Sequence, residues 1–165
     1  MKVLLAVEGS ALSDAAVAEV AQRPWPAGSE IKVLSVFEPP LPSTPEAWAI
    51  SPEYFEELNN SARSKARTIV EAAIEVLRKA LGESMPINGE YVQGSPKSVI
   101  LDEAERWGAD LIVVGSHGYR AWERFLLGSV SQAVVAHAKC SVEVVRSRKP
   151  AEEEESFYVA KRYLK

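Results

Sequence analysis

The chain has 165 residues, 47% of them hydrophobic, which is ample for one core and within the usual range of a single domain. Its 19 Lys and Arg against 23 Asp and Glu leave a net charge of −4, a field too weak and of the wrong sign to hold a polyanion, so nucleic acid is not an expected partner. A lone Cys140 cannot close an intramolecular disulfide, and with two histidines the chain has no metal-ligand cluster of familiar spacing, which fits a reducing, cytoplasmic setting.

The opening "MKVLLAVEGS" is too short an apolar run for a signal peptide and lacks a cleavage site behind it. No other segment reads as a bilayer span, so no membrane role is expected. The Asn59-Asn60-Ser61 sequon then has no secretory context and reads as chance. Residues Lys2 to Val7 form a continuous apolar run that stops at Glu8-Gly9-Ser10, the pattern of a strand buried on both faces. "SALSDAAVAEVAQR" follows with Leu12, Ala16 and Val20 at helical period. A second strand, "IKVLSVF" at 31–37, feeds a proline-rich loop through Ile50.

Ser51-Pro52 reads as an N-cap and first helical residue. An apolar stripe of Phe55, Leu58, Ala62, Ala66, Ile69, Ala73, Val76 and Ala80 is expected to run from there to Gly82. "INGEYV" at 87–92 has a weaker strand pattern that suits a place near an edge. Gly94-Ser95-Pro96 opens a helix to Trp107-Gly108, and "DLIVVG" is the most strand-like segment of all. A helix from about Gly128 to Lys139 and the strand "SVEVVR" close the order. Five strands alternating with four helices predict an α/β fold, a doubly wound open sheet of five parallel strands with helices on both faces. The domain is expected to span 1–147. Residues 148–165, with four consecutive glutamates and then a basic, aromatic end, read as a solvated charged tail.

Ligands of open α/β sheets bind at the carboxyl ends of strands, where loops here begin at Glu8 and Gly115. In "VVGSHGYRAWERFLLGSVSQAV", Gly115 and Gly118 suit close backbone approach and positive φ. Gly128-Ser129-Val130-Ser131 opens a helix whose free N–H groups favour phosphate, with two hydroxyls as further donors. No G-x-G-x-x-G follows the first strand and no P-loop motif occurs; "GEYVQGSPKS" misses because Lys97 comes too late. His117 reads as a loop-shaping residue, and Arg120 and Arg124 around Trp122 as surface charges or phosphate clamps. Cys140 reads as a small buried apolar residue and His137 as structural.

The pattern Gly115-x2-Gly118-x9-Gly128-Ser129 resembles the nucleotide-binding motif of the universal stress protein family. The resemblance extends over nearly all of residues 1 to 147, through "KVLSVFEP", "QGSPKSVILDEAERWGADLIVVGSHG" and "FLLGSVSQAVVAHAKCSVEVVR". It implies a Rossmann-like, adenine nucleotide alpha hydrolase-like fold that binds ATP with magnesium. By this analogy Glu8 faces the nucleotide and the backbone of Val36 reads the adenine edge. Val114, Gly115, Gly118, Gly128, Ser129, Val130 and Ser131 then surround ribose and phosphates. The chain departs from the family pattern at Glu8, where Asp is usual, at Ser35, where many members carry His, and at Lys139, which replaces a proline. The implied role is a nucleotide-dependent regulatory module in stress response, with slow ATP hydrolysis or phosphoryl transfer at the same site as the alternative. The family's habit of pairing through the last strand, together with the apolar edge of residues 141–146, implies a homodimer.

Overall fold

The computed structural model describes residues 1–38, 51–116 and 127–146. Nine elements follow in order: β1 (Lys2–Ala6), α1 (Ala11–Gln22), β2 (Glu30–Phe37), α2 (Pro52–Leu81), β3 (Ile87–Gln93), α3 (Pro96–Trp107), β4 (Leu111–Gly115), α4 (Ser129–His137) and β5 (Ser141–Val145). The strands form one sheet in the order β3-β2-β1-β4-β5, and every neighbouring pair is parallel. The chain thus winds outward from β1 in both directions, and the strand order reverses between β1 and β4.

Alternation along β1 explains why both faces are covered. Val3, Leu5 and Val7 point to one side and pack with Val17 and Val20 of α1 and Val70, Ala73 and Leu77 of α2. Leu4 and Ala6 point to the other and pack with Ile100 and Ala104 of α3 and Val134 of α4. The buried strands are aliphatic on both faces because helices lie on both. The weak pattern of "INGEYV" has its cause here too, since among the described residues β3 pairs with β2 alone and leaves Asn88 exposed at the sheet margin.

Helix α2 starts as its sequence predicts: Ser51 caps it by accepting the Tyr54 N–H at 3.3 Å, Pro52 follows, and Gly82 ends it. Its buried face differs from the expected stripe. Ala66, Val70, Ala73 and Leu77 are buried, whereas Val76 is 47% and Phe55 37% exposed. The 30-residue helix, about 45 Å at 1.5 Å per residue, is longer than the strands it crosses, so its first turns extend past the sheet and only its later turns meet the core.

At the opposite end of the sheet from the β1–α1 turn, Lys32 of β2 reaches the α3 face and meets Glu103 at 2.6 Å and Glu90 at 3.6 Å. Its ammonium lies 4.9 Å from the centre of the Trp107 ring, and that of Lys2 lies 5.4 Å away. Arg106 also binds Glu103, with Nε at 2.9 Å, so this buried carboxylate has two cationic partners.

Candidate functional site

The turn after β1 is built around two serines. Ser10 caps α1, its hydroxyl accepting the Ser13 N–H at 3.2 Å and donating to the carboxylate of Glu8. Ser13 reaches back, its Oγ accepting the N–H groups of Glu8 at 3.1 Å and Gly9 at 3.4 Å. Gly9 makes the reversal possible with φ of 82°, a left-handed conformation that costs a glycine little. These bonds fix the half-buried Glu8 side chain at the carboxyl end of the sheet. Burial raises its pKa above the usual carboxylate value of 4.5, with a smaller contribution from Asp14, and this outweighs the opposing bond from Ser10.

Glu8 lines a cleft of about 360 Å³ between the end of β2 and the inner side of α2. The β2 side supplies Ser35, Val36, Phe37 and Glu38. Across from them, Leu58, Ala62, Ala66 and Ile69 form an apolar wall, with Ser61 and Lys65 beside it. A mostly apolar cleft with a few polar groups, of this size and at this end of a parallel sheet, suits a small flat ligand with a polar edge. The cleft thus brings together two expected residues, Glu8 and Val36, and adds an α2 wall that the sequence reading did not include. The helical spacing of Leu58, Ala62, Ala66 and Ile69 is the signal that this wall leaves in the sequence.

The second part of the site lies at the ends of the glycine loop. Gly115 closes β4, and a Cβ there would sit 3.0 Å from the carbonyl carbon and oxygen of Leu12 and 3.2 Å from the Ser13 nitrogen. Its lack of a side chain therefore lets the backbone of α1 approach this closely, and its φ is not positive. Val114 is buried in the core with its side chain turned from the surface. Gly118, like His117, Arg120, Trp122 and Arg124, lies outside the described residues.

Gly128 is the N-cap of α4, and its N–H donates to the Ser116 carbonyl at 2.8 Å. Ser129 is exposed and Val130 half-buried against the core. Helix geometry leaves the first N–H groups of α4 without intrahelical acceptors, which makes this end a place for an anion. Ser131 differs from expectation: its buried hydroxyl lies 2.8 Å from the Ser116 carbonyl and 2.9 Å from that of Gly128, so it ties the loop ends together and is no spare donor.

The family model described as the universal stress protein family matches residues 1–146. The chain belongs to the universal stress protein family. Among family members, YxiE of Bacillus subtilis is 32% identical over 148 residues, covering 88% of this chain and 98% of that protein. The solved structure of the protein MJ0577 superposes with a TM-score of 0.74 at 25% identity, over 90% of this chain and 97% of the other. A universal stress protein family protein of Arabidopsis thaliana, solved with AMP bound, shares the fold with a TM-score of 0.63 at 24% identity, over 93% of this chain and 94% of that one.

Proposed function

We propose that this universal stress protein binds an adenine nucleotide, ATP with magnesium, and acts as a nucleotide-dependent regulatory module in stress response. The observation that carries this reading is the cleft of about 360 Å³ beside Glu8 and Val36, at the same end of the sheet as the N-terminus of α4. The adenine would occupy the cleft and the phosphates would extend toward Gly115, Gly118, Gly128, Ser129, Val130 and Ser131. The AMP-bound Arabidopsis relative supports the choice of base.

Magnesium fits as an ion carried in by the phosphates. Among the described residues no group of three or more His, Cys, Asp or Glu gathers to hold a metal, so its ligands would be mainly phosphate oxygens and water, as is usual for this ion. Glu8 and the Ser129 hydroxyl are oxygen donors suited to orient such a hydrated ion. What the chain itself contributes is positioning: the turn bonds hold Glu8, the α2 wall excludes water from one face of the base, and the α4 N–H groups meet negative charge.

Among the described residues β5 is paired on one side only, by β4. An apolar strand edge of this kind calls for a partner, and a homodimer through residues 141–146 would provide it. No helix among the described residues is long and apolar enough to cross a membrane, and the proposed setting is the cytoplasm.

The test is acid extraction of the purified protein, chromatography of any nucleotide released, and ATP titration of the wild type and of Gly118→Val. Copurified adenine nucleotide, or micromolar binding lost in the variant, is expected. A protein that releases none and binds none at millimolar ATP overturns the reading. Sedimentation at micromolar concentration is expected to show a dimer, and a monomer refutes the pairing.

A further inference from the structure

Residues 31, 33 and 35 of β2 share one face of the sheet, turned toward α1 and α2. Ile31 and Val33 are fully buried aliphatics, and the third place in the row is taken by Ser35, itself 2% exposed. A core position of this kind asks for Val or Ala, since a buried hydroxyl needs a hydrogen-bond partner. Among the described residues no hydrogen bond uses the Ser35 hydroxyl, and its oxygen is not one of the fully enclosed atoms lacking a partner. It therefore opens onto the cleft that Ser35 lines.

Of the residues lining that cleft, only Ser35 and Ala66 are buried. Ser61 and Lys65 sit at the exposed margin, and Glu8, when ionised, only accepts. The Ser35 hydroxyl is thus the side-chain donor at the depth of the cleft, opposite an apolar wall that suits the face of a planar ring. Three ring nitrogens of adenine, N1, N3 and N7, are acceptors without protons, and they need such a donor once water is displaced.

We propose that Ser35 is a specificity-determining residue of the nucleotide cleft, its hydroxyl donating a hydrogen bond to a ring nitrogen of the purine base. This rests on the nucleotide-binding reading above and adds to it the contact that selects the base from the β2 side. A base without that nitrogen leaves the hydroxyl buried and unpaired, the condition under which a polar site rejects an analogue.

The experiment is calorimetric titration of the wild type and Ser35→Ala with ATP and with its 1-deaza, 3-deaza and 7-deaza analogues, each lacking one ring nitrogen. Thermal melting first checks that both proteins are folded. Ser35→Ala is expected to bind ATP on the order of fivefold more weakly. The wild type should lose a similar factor with one analogue, while the variant loses nothing further with it. Equal ATP affinity of variant and wild type, or losses that simply multiply for all three analogues, overturns the role of Ser35 while leaving nucleotide binding in place. A wild type that binds neither ATP nor any analogue overturns both.

Discussion

The contact between Gly115 and α1 gives a prediction that separates packing from ligand approach. In Gly115→Ala the new Cβ would lie 3.0 Å from the carbonyl carbon and oxygen of Leu12 and 3.2 Å from the Ser13 nitrogen. All three are main-chain atoms of a helix, so no side chain can swing aside; the first turn of α1 must move by a few tenths of an ångström. The φ at 115 is not positive, so alanine suffers no backbone strain, and its smaller unfolded-state entropy returns about 0.4–1 kcal/mol. Overpacking costs about 1–3 kcal/mol, and taking the middle of both ranges the net loss is about 1.3 kcal/mol. At about 2–4 °C per kcal/mol for a domain of this length, Tm should fall by about 3–5 °C. Urea denaturation and calorimetry of the nucleotide-free protein measure both quantities. A variant as stable as the wild type would show that α1 yields without cost, and the packing argument for this glycine would fail.

Glu103→Ala removes a partner of both Lys32 and Arg106; Arg106 is largely exposed to water, but Lys32, its side chain 13% exposed, keeps Glu90 as its one carboxylate partner among the described residues, so a loss of about 3 kcal/mol is expected in urea denaturation. Because burial raises the Glu8 pKa above its unfolded value of 4.5, the stability associated with this group is fully present below that pH. It is lost as pH rises through the folded pKa, so Glu8→Gln should gain on the wild type as pH rises above about 4.5. A constant difference across that range, measured by denaturant midpoints, would refute the assignment. Ser131→Ala should cost only about 1 kcal/mol, since the Ser116 carbonyl keeps the Gly128 N–H and the Gly128 carbonyl keeps the Gln132 N–H. A loss several times larger in thermal melting would mean that the serine holds more than these two carbonyls.

Much of the fold was legible because local signals agreed with one another. Ser51-Pro52 and Gly82 marked both ends of α2, and the unbroken aliphatic runs of β1 and β4 announced strands buried on both faces. The α2 stripe failed beyond its ends because periodicity gives a face but not which side of it meets the sheet. Val70 and Leu77 carry the packing there, while Val76 remains half exposed. The site was legible in position more than in cause. Gly115 looks in sequence like a ligand glycine, and only the approach of Leu12 from a helix a hundred residues earlier shows what its missing Cβ accommodates. Gly89, which resembles part of a phosphate loop on spacing alone, lies beneath α2, where a Cβ would meet Val70 Cγ1 at 2.5 Å and Ile74 Cδ1 at 2.6 Å. Ser131 read as a donor for the ligand because nothing in sequence shows which way a first-turn hydroxyl turns. Such long-range facts have no local sequence signature.

Ser116 shows how the site is joined to the edge of the sheet. Its N–H donates to the Val145 carbonyl at 2.8 Å, at the very end of β5, while its own carbonyl receives the Gly128 N–H at 2.8 Å and the Ser131 hydroxyl at 2.8 Å. One peptide neighbourhood therefore fastens the start of the glycine loop, its end, the first turn of α4 and the last residue of the edge strand. Negative charge at the α4 N-terminus acts on the same turn that Gly128 and Ser131 hold to Ser116, and Ser116 cannot shift without drawing on the β5 bond. In the proposed regulatory module, nucleotide occupancy thus has a hydrogen-bonded route to the strand edge expected to pair, three residues long and independent of α2. In that proposal the α2 wall would support the base, and the Ser116 junction would carry the effect of the phosphates. A relative change in dimer affinity with nucleotide would be transmitted through this junction, so Ser131→Ala should weaken the dependence of dimerisation on ATP more than it weakens ATP binding itself.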